Sequence, residues 1–273
     1  YWVSFPDFVS VTGAKPVFVR TLKYQQFEPD FNDLERKITK NTKGIIINSP
    51  SNPTGGVWGD GAILRLLDLC KKRQDIWIFS DECYEQLTYD IQFKSIATLS
   101  DNPKILTFQS CSKTYAMTGW RIGYMAGDSK VVNAMSKLQG QSTSCPNSIA
   151  QHAAIEALNG SQKEVQSMRL VFRKRRDVIL NRLNNMNKVV CDVPKGAFYV
   201  FPNFKHYIGK SINDNIIHSG NDISMFLLNE KAVVSVAGNS FGASNNIRFS
   251  YALSSANINK AMDHLEYCLS MIN

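Results

Sequence analysis

Paired cysteines, histidines at ligand spacing and long apolar runs are all missing from this 273-residue chain. Its six cysteines, Cys70, Cys83, Cys111, Cys145, Cys191 and Cys268, form no CxxC pair. That pattern argues against a disulfide framework and for reduced thiols in a cytoplasmic setting. The four histidines, His152, His206, His218 and His264, have no metal-ligand spacing to one another or to cysteine, so no metal site is expected. No apolar run reaches the length of a membrane span, and no signal-peptide pattern is present. A membrane partner is therefore not expected. Internal repeats and low-complexity tracts are absent as well.

Acidic residues are the scarcer charge, 23 against 31 Lys and Arg, for a net charge of +8. Such a surplus suits nucleic-acid binding; it equally suits a basic enzyme that handles anions. The densest basic run, Arg173-Lys174-Arg175-Arg176, falls in a helical pattern whose apolar stripe is Val165, Met168, Phe172, Ile179 and Leu183. It reads as a solvated helix face. No zinc-finger, RNP-like or homeodomain-like pattern supports a nucleic-acid partner.

What is present is a regular alternation. Apolar runs at Ile45 to Ile47, Ile76 to Phe79, within "KILTFQSCSK" and within "GWRIGYMAG" are interleaved with helical patterns such as Ile63, Leu66, Leu67 and Cys70. Apolar runs without in/out alternation fit strands covered on both faces, so the expected fold is α/β, with a mixed, mostly parallel sheet flanked by helices. Residues 147–186 read as helical. Beyond Pro194 come short strand-like pieces, a polar stretch at 203–222 read as a surface loop, and a terminal amphipathic helix on Ile258, Met262, Leu265, Leu269 and Ile272. The expected division is a larger domain over 1–165 and a smaller α+β domain with its connecting helix over 166–273. The chain opens on "YWVSFP", an apolar, aromatic stretch read as an edge strand from inside a domain.

In open α/β sheets, ligands bind beyond the carboxyl ends of the strands. The first run delivers Asn48 and then Ser49 to Gly55, including Asn52. The second delivers Asp81 and Tyr84. The third delivers Ser110, Ser112 and Lys113, with Arg121 close behind. Each has a plainer reading: a turn for Asn52-Pro53-Thr54-Gly55, a helix N-cap for Ser80-Asp81 with Glu82 and Glu85 near the dipole, a surface lysine, an ion-paired arginine. Together, at one edge, they match the needs of pyridoxal-phosphate chemistry. That chemistry calls for a lysine that forms a Schiff base and shuttles protons, and a carboxylate that keeps the pyridine nitrogen protonated. It also calls for neutral donors at the ring oxygen, and for hydroxyls with an arginine at the phosphate.

On "NSPSNPTGG", "SDECYE", "SKTYAMTGWRIGY", "GAFYVF", "IRFSYA" and "YWVSFP" the chain resembles the fold-type I pyridoxal-phosphate aminotransferases of class I. It looks most like the aspartate and prephenate aminotransferases of bacterial and plastid type. The resemblance implies Lys113 as the Schiff-base lysine, Asp81 at the pyridinium nitrogen, and Tyr84 and Asn52 at the ring oxygen. It further implies Ser110, Ser112 and Arg121 at the phosphate, Trp2 against the ring, and Arg248 on the substrate α-carboxylate. Ser110-Cys111-Ser112 departs from the pattern of close relatives. The resemblance also implies a homodimer acting on an amino acid and a 2-oxo acid. Family members carry an upstream part with an N-terminal arm and a phosphate-gripping loop, which this sequence lacks, so the N-terminal part of the fold is expected to be missing and this chain by itself inactive. Other reactions of the same fold, those of lyases or synthases, share the lysine, carboxylate and arginine. A non-catalytic regulator of this fold is disfavoured because Lys113 is retained.

Overall fold

The computed structural model describes residues 1–73 and 75–273. In chain order its elements are α1 (Phe5–Val11), β1 (Thr21–Leu22), β2 (Glu28–Pro29), α2 (Phe31–Lys37), β3 (Gly44–Asn48), α3 (Asp60–Lys72), β4 (Trp77–Asp81), β5 (Ile105–Ser110), α4 (Cys111–Thr114) and β6 (Gly123–Ala126). There follow α5 (Ser129–Ser142), α6 (Ser148–Asn159), α7 (Lys163–Asn185), β7 (Tyr199–Val200), β8 (Ser211–Ile212), β9 (Asn215–Ile216), α8 (Gly220–Lys231), β10 (Val236–Ala237), β11 (Ile247–Ser250) and α9 (Ser255–Ser270). The chain divides into two compact units. One comprises Val17–Pro50 and Val57–Arg169; the other comprises Tyr1–Pro16, Ser51–Gly56 and Leu170–Asn273.

The first unit is built on a four-stranded sheet in the order β3-β4-β5-β6. β3, β4 and β5 are parallel, and β6 runs antiparallel to β5. The mixed, mostly parallel sheet read from the apolar runs is therefore present. Its core lies on one face, where Ile47, Ile78 and Ile105 pack with Leu34 of α2 and Leu66 and Cys70 of α3. The opposite face carries Ile46, 38% exposed, and the stacked rings of Phe79 and Phe108. An apolar run states only what is able to be buried; among the described residues, helices cover one face. Local capping agrees with the sequence. Asp30 accepts from the N–H groups of Asn32 and Asp33 at the start of α2, and Asp128 and Asn147 cap α5 and α6 in the same way.

Asp33 pins this unit's first segment. It accepts from Arg20 N–H at 2.9 Å and from Lys37 Nζ at 2.7 Å, with Arg36 at 3.1 Å. These donors hold its carboxyl down at about 2.

The second unit contains a three-stranded antiparallel sheet, β10-β11-β7. Ile247, Phe249 and Tyr251 alternate inward from β11 and are buried. The terminal helix α9 buries Ile258, Met262, Leu265 and Leu269, and Ile272 just beyond it is buried too. Three expectations change here. The opening stretch is a helix, α1, with proline in its first turn, where the missing N–H costs nothing. Residues 203–222 are not a plain surface loop: they hold the β8–β9 hairpin and four buried side chains, Phe204, Tyr207, Ile212 and Ile217. Asn213 and Asp214 turn the hairpin with φ of 46° and 66°, left-handed values that these two residue types tolerate. The capping box of Ser219 and Asp222 then starts α8, which the polar stretch had masked. Finally, Arg173 and Lys174 face water, but Arg176 is buried. Its Nη1 donates to the carbonyl of Pro194 at 3.3 Å, and its Nη2 pairs with Asp177 at 2.8 Å. A guanidinium is the cation best able to be buried in this way, because its donors satisfy several acceptors at once.

Candidate active site

In the first unit, parallel pairing sets Asn48, Asp81 and Phe108 in register at the carboxyl ends of β3, β4 and β5. Asn48 Nδ2 donates to the main-chain oxygen of Asp81 at 3.3 Å, and Glu82 N–H donates to Phe108 O at 2.9 Å. Asp81 is thus held by both neighbouring strands. No helix follows it. Residues 83–86 form a turn, and Asp81 Oδ1 accepts from Cys83 N–H at 3.1 Å. Asp81 is half-buried and has no ion-pair partner among the described residues. Burial pushes its carboxyl up, and the N–H and thiol of Cys83 partly offset that. Tyr84, one residue beyond Cys83, is buried.

At the end of β5, Ser110 caps the one-turn helix α4, accepting from Ser112 N–H at 3.0 Å and donating to Ile122 O at 3.4 Å. Lys113 sits on that helix, half-buried, and its charge reaches the Cys83 thiol. Arg121 is exposed. It occupies the left-handed region, with φ of 54°, and its Nη1 donates to Thr118 O at 2.8 Å. A non-glycine residue in this conformation is uncommon and is held by its surroundings. The unit therefore brings Asp81, Tyr84, Ser110, Ser112, Lys113 and Arg121 to the strand-end side of one sheet.

Two groups escaped the sequence reading. Glu82 is fully buried. Its Oε1 accepts from Ser80 Oγ at 2.9 Å and from Ile96 N–H at 3.3 Å, while Oε2 is enclosed without a hydrogen-bond partner. Glu85 accepts from Gln109 Nε2 at 2.8 Å. Burial is the main force raising both carboxyls. The period-two pattern of β4, continued past Asp81, places Glu82 on the inward face with Ile78 and Ser80; that was the available signal.

In the second unit, the Arg248 guanidinium lies over the ring of Tyr199 at 4.5 Å and that of Phe241 at 5.1 Å. Nη1 donates to Asn52 Oδ1 at 2.8 Å. Nε is buried without a partner, and no carboxylate pairs with this cation among the described residues. Asn52 is supplied by the turn that ends in Gly55, whose φ is +67°. Gly55 O accepts from both Lys195 N–H and Gly196 N–H at 2.9 Å, and a side chain at Gly55 would collide with Pro194. Trp2 packs edge-on against Phe5 at 5.4 Å and Phe8 at 5.7 Å.

Residues 1–265 match the family model described as aminotransferase class I and II. Among curated relatives, a probable aspartate/prephenate aminotransferase from Rhizobium leguminosarum bv. phaseoli is 41% identical over 97% of this chain and 68% of its own length. An aspartate aminotransferase from Bacillus subtilis (strain 168) is 40% identical over 97% of this chain and 67% of its own length. Among solved structures, the aspartate aminotransferase from Rhizobium meliloti superposes with a TM-score of 0.95 at 35% identity, covering 100% of this chain and 69% of that one. The aspartate aminotransferase from Thermus thermophilus with maleate gives a TM-score of 0.90 at 36% identity, covering 98% of this chain and 68% of that one.

Proposed function

Because the chain belongs to the aminotransferase class I and II family, we propose that it moves an amino group between aspartate, or a related amino acid, and 2-oxoglutarate, with pyridoxal 5'-phosphate as cofactor. The observation that carries this reading is the half-buried Asp81 carboxylate at the end of β4, with no ion-pair partner among the described residues, in the unit that also brings Tyr84, Lys113 and Arg121 to its strand ends. The donor set fits the cofactor: a desolvated carboxylate needs a protonated ring nitrogen, and the hydroxyls of the α4 turn with the Arg121 guanidinium suit a phosphate.

When bound, the cofactor acts as an electron sink for the bonds of the substrate α-carbon. The chain supplies the rest. Asp81 holds the proton on the ring nitrogen. The Nζ of Lys113 would hold the cofactor, and it would take and return the proton of the substrate α-carbon. Tyr84 donates to the ring oxygen. Ser112 and Arg121, with Ser110, hold the phosphate. In the second unit, Arg248 takes the substrate α-carboxylate through a guanidinium that two aromatic rings and Asn52 orient in advance, at an enclosed Nε with no acceptor of its own. Pre-orientation of this kind lowers the entropic cost of binding.

The names of the relatives favour one alternative, prephenate as amino-group acceptor. The working form is read as a cytoplasmic homodimer. Its six unbonded cysteines support a reducing compartment, and the family resemblance implies the dimer.

Lys113→Ala tests the reading. In the full-length protein, with cofactor, aspartate and 2-oxoglutarate supplied, transamination falls by about a thousandfold or more, while the circular dichroism spectrum stays that of the parent. Wild-type turnover in this variant refutes the assignment. Comparing 2-oxoglutarate with prephenate as acceptor in the parent protein decides between the two substrates.

A further inference from the structure

Glu82 is 1% exposed, and the chemistry above gives it no task. Its Oε1 takes the hydroxyl of Ser80 at 2.9 Å, from the same face of β4, and the N–H of Ile96 at 3.3 Å, from a segment 14 residues along the chain. Its Oε2 is enclosed and has no donor, and no Lys, Arg or His pairs with this carboxyl among the described residues. We propose that Glu82 is a neutral acid at neutral pH and a positioning residue for Asp81, its uncharged carboxyl tying the end of β4 to the segment at Ile96. That it matters to the reaction rests on the reading of Asp81 as the partner of the cofactor's ring nitrogen.

The protonation state follows from the enclosure. A carboxylate spreads its charge over both oxygens, so an oxygen shut away from water with no donor and no cation costs several kcal/mol in the ionised form and far less in the acid. Burial is the main influence on the Glu82 carboxyl and raises it; the donors that oppose it, at Ser95, Ser80, Ile96 and Gln109, are all neutral. The charged groups nearby do not stabilise an anion. Glu85, on the same turn, is an acid that accepts from Gln109, and Asp81 projects to the other side of the strand. The positioning role follows from where the donors sit. The β4 ladder ends as Glu82 N–H reaches Phe108 O at 2.9 Å, and a turn begins at once. Ser80 is buried, and Ile96 belongs to the same core cluster as Ile78 of β4 and Ile105 of β5. The Glu82 side chain therefore pins the last residues of β4 to the core from the inner face, while Asp81 stands on the outer one.

The test uses the full-length protein without cofactor, its glutamates carrying carbon-13 at the side-chain carboxyl. Infrared difference spectra, parent minus Glu82→Gln and parent minus Glu82→Met, isolate the Glu82 carboxyl even where one variant does not fold. The expected result at neutral pH is the carbonyl band of a protonated acid, lost in the variants; carboxylate bands in its place overturn the inference. Calorimetry gives the second readout. Glu82→Gln melts with the parent at about pH 4, and its advantage grows as pH rises, because the unfolded parent ionises Glu82 and the folded parent does not. An advantage that stays constant with pH, or a glutamine variant that melts lower at neutral pH, also overturns it. For the positioning role, amide exchange at 81–83 and 96–98 is about threefold or more faster in Glu82→Ala, with Glu82→Gln back at the parent's rate; parent rates in the alanine variant remove that role. None of these readouts involves the cofactor. If they hold while Asp81→Asn keeps full affinity for pyridoxal 5'-phosphate and full turnover, the ring-nitrogen reading of Asp81 fails and the Glu82 inference stands.

Discussion

Asp33 and Asp81 belong to the same unit, both are shielded from water, and their electrostatic fates are opposite. Asp33 gathers a main-chain N–H, a lysine and an arginine, and its carboxyl drops to about 2. Among the described residues the Asp81 carboxyl accepts only from Cys83 N–H, and burial raises it. Arg176 and Arg248 repeat the contrast in the second unit. Arg176 is matched to Asp177 and a carbonyl, whereas Arg248 keeps an enclosed Nε with no acceptor. Burying a charge without a counter-charge costs folding free energy. A chain that satisfies Asp33 and Arg176 and leaves Asp81 and Arg248 unmatched carries that cost where a ligand of opposite charge offsets it. On the proposed function, unmatched charge separates the ligand-binding groups from the structural ones more sharply than burial does.

The strongest way to break this contrast is Asp81→Asn. Transamination falls by about a hundredfold or more, because the amide cannot stabilise a protonated ring nitrogen. Stability moves the other way. The folded pKa of Asp81 lies above its unfolded value, so its charge lowers stability at neutral pH, and the deficit fades as pH falls through the folded pKa. The cofactor-free variant thus melts higher than the parent at neutral pH. A lower melting temperature by calorimetry would place Asp81 with Asp33 as a structural carboxylate.

Arg248→Lys gives the next largest effect. An ammonium cannot reproduce the two-point geometry of a guanidinium held between rings. kcat/KM for aspartate, glutamate and prephenate should fall together, by about tenfold each. Loss confined to one substrate would mean that Arg248 reads a side chain instead of the shared α-carboxylate.

Asp33→Asn sharpens the comparison from the structural side. The folded pKa lies below the ordinary carboxylate range, so the stabilisation is fully present above that range and is lost as pH falls toward about 2. The variant should melt lower at neutral pH, lose part of the parent's acid sensitivity between about pH 4 and pH 2, and turn over substrate at the parent rate once saturated with cofactor. Unchanged melting across that pH range would show that the Asp33 cluster is worth nothing net, as many exposed ion pairs are.

Much of the first unit was legible because its strands are short continuous apolar runs ending in turn residues, and its helices carry clear apolar stripes. Continuous apolar runs located β3, β4, β5 and β6, and helical spacing located α3. The second unit was harder. β7, β10 and β11 cover two to four residues each, and the sequence showed them as strand-like pieces without their pairing. Residues 203–222 look like solvent-exposed chain because polar turn and cap residues outnumber the four buried ones. The Asn213-Asp214 turn and the Ser219 to Asp222 capping box were readable signals within that stretch. Glu82, which the plainer reading set near a helix dipole, is a buried carboxyl, and no helix follows Asp81.

By itself the sequence determined which residues arrive at the strand ends. Side-chain period and chain order follow from backbone geometry, so Asp81, Lys113 and the inward alternation of Ile247, Phe249 and Tyr251 were set before any packing was known. Tertiary structure alone decided which charges are matched. That Arg176 turns inward to Pro194, that Asn52 orients Arg248, that Gly55 must be glycine because Pro194 lies against it, and that Asp81 meets Cys83 N–H and no cation among the described residues all depend on contacts between residues far apart in the chain or on the exact course of a turn. Desolvation and hydrogen bonding act over a few ångströms in space, and no spacing along a sequence encodes that distance.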